Sequence, residues 1–315
     1  MAAFIGLDVG GTFLKGDRLD DSGRIEARLH EPIVRERPED LLDQFERAVA
    51  TLRGGPAARA VGIGLPGIVD HASERLRGVP NLKALAALRD RDLVAEVSAR
   101  TALPAFMEND GNAAGLAEAW LGAGRGASSM IFLTLGTGVG SAVILRDRLW
   151  TGQSGYAGEV GHVQIDPRGE PCGCGSRGCL ETVVGIAGWS RRAEAKITTR
   201  DSRLAGQKLD PAAIVAAARE GDTVAIEVVD ETARALGQAL GALINILNPE
   251  RAVIGGGVAA AGAFLLDRVV RDTKGCCWPQ AFDDCSIRLA ELGGDAGVVG
   301  AARVAMRGVL GQPEV

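Results

Sequence analysis

Residues 4–19 read FIGLDVGGTFLKGDRL: an apolar run, a glycine pair, then a second run that mixes polar and apolar residues. A short apolar stretch that stops at Gly10-Gly11-Thr12 predicts a buried strand ending in a tight turn. Residues 16–19, followed by Asp20-Asp21-Ser22-Gly23, predict a return strand and a β-hairpin. Residues 130–145, MIFLTLGTGVGSAVIL, repeat the layout, with Gly136-Thr137-Gly138 at the turn. Two such units in one chain predict two similarly built halves facing a cleft.

The rest of the chain alternates strand and helix patterns. Residues 39–53 carry apolar side chains at helical spacing, and residues 60–65 form an apolar run closed by Pro66-Gly67. A strand is expected at 103–108 and a helix at 112–121, then strands at 129–135 and 141–145. Residues 211–248 read as helical with a break near Gly221-Asp222. A strand at 251–254 ends in Gly255-Gly256-Gly257, an alanine-rich helix follows, and residues 295–306 form a last helix. Such alternation places the chain in the α/β class.

At 315 residues the chain is long enough for two domains, each with its own core. A formal net charge of -5, without clustered Lys and Arg, argues against a nucleic-acid partner. The amino terminus lacks the basic and apolar regions of a signal peptide. No apolar run approaches the roughly 20 residues that cross a bilayer. Cysteines spaced C-x-C-x4-C fit a metal site in a reducing compartment better than a disulfide framework. The expectation is a soluble cytoplasmic protein with no membrane or nucleic-acid partner.

Three glycine turns follow strands: DVGGT at 8–12, LGTGVG at 135–140 and IGGGV at 254–258. Without Cβ atoms in the way, backbone N–H groups at such turns point into a concavity that suits phosphate oxygens. That makes Gly10, Gly11, Gly136, Thr137, Gly138, Gly255, Gly256 and Gly257 candidate phosphate contacts. None of the turns ends in the Lys-Ser/Thr of a P-loop. The third, with Ala260, fits a dinucleotide fingerprint, but the acidic residue about 20 positions on is missing, which weakens a nicotinamide reading. Asp8, at the end of its strand, is placed to hold Mg²⁺ through water or else to cap the turn. Thr12 and Lys15 are its neighbours on the hairpin.

His162-x9-Cys172-x-Cys174-x4-Cys179 offers one imidazole and three thiolates, a closed tetrahedral Zn²⁺ set. With all four positions filled by protein, the ion has no open site for a substrate oxygen, so its expected role is structural. Gly173, Gly175 and Gly178 let a short loop wrap the ion. Cys276, Cys277 and Cys285 read as free thiols, and His30 and His71 as surface residues.

DVGGT, GIGLPGIVD, ENDGNAAGLAE, LTLGTGVG and C-x-C-G-x-x-G-C-x-E occur in that order. Together they resemble the ROK family of bacterial sugar kinases (repressors, open reading frames, kinases), within the actin-like ATPase superfamily, over nearly the whole chain. The resemblance implies an α/β fold of two actin-like (ribonuclease H-like) domains flanking a cleft, with a zinc loop at 162–181. It places residues 1–110 in an N-terminal domain, completed by a C-terminal helix at about 295–315, and 111–294 in a larger one. Sugar would lie deep, ATP toward the mouth, and the protein would be a homodimer or homotetramer. The family's repressors carry an N-terminal DNA-binding module, for which a phosphate turn at residue 8 leaves no room.

Residue by residue, the resemblance implies Asp110 as catalytic base, and the chemistry agrees. A sugar hydroxyl has a pKa far above neutrality, so its attack on the γ-phosphorus needs a proton acceptor and firm positioning. Asn109 could bond a ring hydroxyl with either end of its amide. Glu159 and Glu181 match sugar ligands, as do Asn81 and Gly67 less specifically, while Glu108, Glu118 and Asp70 read as structural. The second ring nitrogen of His162 is free to reach the sugar. The implied reaction is ATP-dependent, Mg²⁺-assisted phosphorylation of glucose at O6. N-acetylglucosamine, N-acetylmannosamine, mannose and fructose kinases share these motifs, and a non-enzymatic sugar-sensing relative is the rival from another class.

Overall fold

The computed structural model describes residues 2–54, 58–79 and 82–311. Its first sheet contains β1 (Ala3–Val9), β2 (Phe13–Asp20), β3 (Ile25–Pro32), β4 (Ala58–Leu65) and, after a hairpin of β5 (Ile68–Asp70) and β6 (Arg75–Arg77), β7 (Ala105–Asn109). Strand order is β3-β2-β1-β4-β7. The β1–β2 and β2–β3 pairs are antiparallel, whereas β1–β4 and β4–β7 are parallel. The second sheet contains β8 (Met130–Leu135), β9 (Val139–Leu145), β10 (Arg148–Leu149), β11 (Arg251–Gly255) and β12 (Ser286–Leu289), in order β10-β9-β8-β11-β12. Each sheet therefore has three successive strands on one side and later, parallel-paired strands on the other. The internal similarity legible at 4–19 and 130–145 is a similarity of topology.

Helices α1 (Pro38–Leu52), α2 (Lys83–Ala86), α3 (Leu93–Thr101) and α4 (Asp110–Leu121) accompany the first sheet. Between β10 and β11 lie α5 (Leu180–Val184), α6 (Ile186–Ile197), α7 (Pro211–Arg219) and α8 (Thr223–Leu247), between β11 and β12 lie α9 (Ala263–Lys274) and α10 (Pro279–Asp284), and α11 (Ala296–Val309) comes last. α1 starts with proline in its first turn and buries Leu41, Leu42, Phe45, Ala48, Val49 and Leu52 along one stripe. The expected break in the long helical stretch is real: Gly221 has φ +87°, and the Asp222 side chain accepts from the Ala225 N–H to start α8. The alanine-rich stretch after β11 is a 3-10 turn at Gly257–Ala261, and Gly262 at φ +65° separates it from α9. Strands β5, β6 and β10, with two to three residues each, are too short to show alternation in sequence.

The packing divides the chain into two compact units, Met1–Gly126 with Ala142–Gly158 and Gly294–Val315, and Ala127–Ser141 with Glu159–Gly293. The expected boundary at 110/111 would cut α4 away from the first unit. The structure keeps it there, because α4 packs backbone to backbone on α11. A Cβ on Gly300 of α11 would lie 1.8 Å from the Ala113 carbonyl oxygen of α4. The same helix meets the sheet in the same way. A Cβ on Gly6 of β1 would lie 2.1 Å from the Val298 oxygen, and one on Gly62 of β4 would lie 1.9 Å from the Ala301 oxygen. The first unit's core runs from Ile5 and Leu7 through Phe45 and Val61 to Met107, and the second's from Ile131 through Trp189 and Leu236 to Cys285. Among the described residues no helix is long and apolar enough to cross a membrane.

Gly62→Ala should therefore act as overpacking against rigid backbone, lowering stability by about 1–3 kcal/mol without removing any functional group. Thermal denaturation checks this; an unchanged Tm would mean that α11 does not seat on the strand as closely as described.

Candidate active-site residues and metal centre

In the second unit the four expected metal ligands converge. One ligand atom from each of His162, Cys172, Cys174 and Cys179 lies within 4.8 Å of all the others. Cys174 Sγ and Cys179 Sγ are 3.7 Å apart, and Cys172 Sγ is 3.5 Å from His162 Nδ1. A tetrahedral zinc ion with thiolates at about 2.3 Å has edges near 3.8 Å, so this set fits the ion. The loop reaches that shape through tight turns. Cys172 N–H donates to the Ser176 carbonyl at 2.8 Å, Gly175 N–H to the Cys172 carbonyl at 3.0 Å and Gly178 N–H to the Glu170 carbonyl at 2.8 Å. Gly178, at φ +63°, stands where a Cβ would lie 1.5 Å from the Asp166 carbonyl oxygen. Burial and the neighbouring thiols of Cys172 and Cys174 push the Cys179 thiol up to about 12. The Ser176 backbone hydrogen bond, with the Cys172 thiol, draws exposed Cys174 down. A divalent cation would hold all three cysteines as thiolates, with His162 as a neutral imidazole.

Around that loop stand the carboxylates. With Nδ1 turned to the thiols, His162 Nε2 faces Glu159 Oε2 at 3.8 Å. Burial raises the Glu159 pKa, with His162 opposing and Glu181 adding to the rise. Cys179 immediately precedes α5, so Glu181 falls in that helix's first turn. Its Oε2 accepts from the Val139 N–H at 3.0 Å, at the end of the glycine turn between β8 and β9. A Cβ on Gly138 would lie 2.3 Å from that same oxygen. The expected sugar carboxylate is thus latched to the expected phosphate turn, a link the sequence did not disclose. The turn is braced further by the Gly136 N–H on the Gly138 carbonyl at 2.9 Å and by the Ile186 N–H on the Gly136 carbonyl at 3.0 Å. Thr137 has a tight neighbour, since a Cβ on Gly185 would lie 2.8 Å from its carbonyl oxygen.

Of the last glycine turn, Gly255 packs on the Phe132 ring, Gly256 at φ +82° abuts the Leu135 backbone, and only Gly257 borders open space. Packing alone accounts for the first two glycines.

In the first unit, Asp8 lies half-buried on β1 opposite Lys15 of β2. Desolvation pushes its carboxyl up and Lys15 pulls it down. Lys15 Nζ itself donates to the Gly294 carbonyl at 2.7 Å. Gly10 N–H closes the turn on the Phe13 carbonyl at 3.0 Å, Arg35 Nη1 donates to the Gly11 carbonyl, and the Thr12 carbonyl accepts from Ile33 at 3.0 Å.

Asp110 is the first residue of α4, where the helix's unpaired N–H groups favour a carboxylate. Its Oδ1 accepts from the Gly111 N–H at 2.8 Å. Asn109 is the N-cap: Oδ1 accepts from Asn112 N–H at 3.0 Å, and Nδ2 donates to the Gly67 carbonyl at 2.9 Å. Both ends of its amide thus have protein partners, which makes it a fixer of the corner. Gly67, at φ +131°, holds a conformation that favours glycine. Glu108 is buried; its Oε1 accepts from the Asn109 N–H at 2.8 Å and from Asn112 Nδ2 at 3.0 Å. Its Oε2 lies 3.0 Å from His71 Nε2, so His71, exposed as expected, also closes this corner. The i, i+4 spacing of Glu108 and Asn112 was a legible clue; nothing in the sequence pointed to His71. His30 packs against Phe13 with ring centroids 4.5 Å apart and the ring planes tilted by 55°. Asn81 lies outside the described residues.

These features can be set beside known proteins. The signature of the ROK family matches residues 4–307. The chain is 36% identical to a glucokinase of Halalkalibacterium halodurans, over 94% of this chain and 93% of that protein. It is 34% identical to a glucokinase of Thermotoga maritima, over 95% of this chain and 96% of that protein. A ROK family glucokinase from Streptomyces griseus, solved with glucose and AMPPNP, superposes with a TM-score of 0.82 at 33% identity, covering 97% of this chain and 100% of that one. The protein belongs to the ROK family.

Proposed function

We propose that the protein is an ATP-dependent hexose kinase that transfers the γ-phosphoryl group to O6 of glucose. The observation that carries the reading is the corner at the start of α4. There a carboxylate, Asp110, stands at a helix N-terminus fixed by Asn109, Glu108 and the Gly67 carbonyl, on a chain akin to glucokinases over nearly its full length. In this reading Asp110 accepts the proton of the attacking hydroxyl, which leaves an alkoxide-like oxygen to displace ADP from the γ-phosphorus. Glu159, Glu181 and His162 accept and orient sugar hydroxyls, and Gly67 and Asn81 are further sugar contacts in this reading. The turns at Gly10, Gly11 and Thr12, at Gly136, Thr137 and Gly138, and at Gly257 contact phosphates. A single carboxylate suits Mg²⁺, which usually binds through one or two carboxylates, waters and substrate phosphates. Asp8 would hold it, and its charge would offset that developing on the phosphoryl group. His162, Cys172, Cys174 and Cys179 would hold zinc as a structural clip, which would set the start of α5 and hence Glu181.

An ATP-coupled assay over glucose, mannose, fructose, N-acetylglucosamine and N-acetylmannosamine tests the reading. Turnover of an acetamido sugar in preference to glucose would move the assignment within the family, and turnover of none would sink it.

Asp110→Asn keeps shape but removes the proton acceptor, so kcat should drop by about 10² or more while glucose affinity stays near wild type. Steady-state kinetics with glucose titrations decide it; a variant with a tenth of the wild-type kcat would strip Asp110 of the role.

Cys174→Ser weakens the metal site and frees the loop that precedes Glu181, so glucose binding should collapse while nucleotide binding falls much less. Calorimetry with each ligand separately, alongside zinc content, reads this out. Undiminished glucose affinity without zinc would confine the clip to stability.

Gly138→Val should raise KM for glucose as well as ATP, because the new side chain strikes the Glu181 carboxylate. A change in the ATP constant alone would show that the latch between turn and carboxylate is unimportant.

A further inference from the structure

The first turn of α11 meets Asp8 in an unusual way. At Gly6, Gly62 and Gly300 glycine keeps backbone clear of backbone, and Gly308, near the end of the helix, clears the Phe106 ring. At Gly297 the protected group is a side chain. A Cβ there would lie 2.6 Å from Asp8 Oδ2, 2.7 Å from Cγ and 3.0 Å from Oδ1. The carboxylate rests face-on against the bare Cα. Backbone conformation does not call for glycine here, since Gly297 is absent from the glycines with positive φ. Glycine is also the poorest helix former after proline, so its presence answers some other demand.

The platform is itself held in place. Lys15 Nζ, on the strand opposite Asp8, grips the Gly294 carbonyl at 2.7 Å just before the helix. Arg28 of β3 forks onto Asp295, with Nη1 at 3.1 Å from Oδ1 and Nη2 at 2.7 Å from Oδ2. Behind it, the Val298 and Ala301 carbonyls press on Gly6 and Gly62. A methyl group added at 297 cannot be absorbed by retreat of the helix. It is absorbed by the Asp8 side chain, which must swing off its present position.

We propose that Gly297 is a positioning residue: the uncovered Cα of the first turn of α11 sets where the Asp8 carboxylate stands, and thereby its hold on a nucleotide-bound divalent cation. The inference rests on the reading of Asp8 as the Mg²⁺ carboxylate. Lys15 and Arg28 serve the same end by pinning that turn.

The test is Mn²⁺ binding, followed by electron paramagnetic resonance, to the full-length protein with a non-hydrolysable ATP analogue, so that no turnover is needed. Gly297→Ala should bind Mn²⁺ about tenfold more weakly, the scale of a disturbed supporting contact, while glucose affinity and metal-free nucleotide affinity in EDTA are unchanged. A folded Gly297→Ala protein with wild-type Mn²⁺ affinity overturns the proposal. Should that variant not fold, Arg28→Gln takes its place: an exposed change that unpins Asp295 should weaken Mn²⁺ binding to a smaller degree, and no change overturns the proposal. Asp8→Asn separates this inference from the reading beneath it. If Asp8→Asn binds Mn²⁺ normally, Asp8 is not the metal carboxylate and both fall. If Asp8→Asn loses Mn²⁺ and Gly297→Ala does not, only the positioning role falls.

Discussion

The approach of one helix to a sheet, closer than any side chain would permit, is the constraint on which the first unit is built. α11 lies on β1, β4 and α4 with its own backbone in contact, and only glycine at 6, 62 and 300 leaves room. That contact brings a segment from the far end of the chain against the first strand and the helix that begins with Asp110. The positions of Asp8 and of α4 are thereby referred to one rigid element. Dispersion between backbones packed this closely falls steeply once a gap opens, so the contact is sensitive to any added atom.

The second unit solves a different problem by different means. Glu181 has to be placed by a loop of short turns that has little apolar side chain to bury. Closed on a metal ion, the four converging ligands would supply the order that hydrophobic packing does not. Cys179 is the last ligand and the residue before α5, so the cluster ends where the helix carrying Glu181 starts. The carboxylate then closes on the Val139 N–H, which joins the loop to a glycine turn far away in sequence. Glu181 is half-buried, and this hydrogen bond satisfies its Oε2.

The two glycine turns at 10–11 and 136–138 come from the same strand–turn–strand plan, and the two sheets keep the same strand order around them. Their surroundings have diverged. The first turn lies beside Arg35 on the Gly11 carbonyl and a lysine that points to Gly294; the second is braced by Glu181 and Ile186. The third turn, which resembled a dinucleotide fingerprint, uses Gly255 and Gly256 to pass the Phe132 ring and the Leu135 backbone.

What the sequence determined by itself is what depends on neighbours along the chain. The strand–turn units, the amphipathic stripe of α1, the break at Gly221-Asp222, the four metal ligands and the family motifs are all of that kind, because periodicity, turn chemistry and ligand spacing are local. The metal set was legible because its chemistry needs particular residue types at short intervals. What only the tertiary structure decided is what depends on residues brought together from distant segments. His71 against Glu108, both ends of the Asn109 amide engaged, Glu181 on the Val139 N–H, α4 placed with the first unit, and Gly297 under Asp8 leave no periodic trace. A contact across 37 residues or nearly 290 carries no signature in spacing. The reason a glycine is needed at such a place is a neighbour's atom, and that atom's position exists only once the chain has folded.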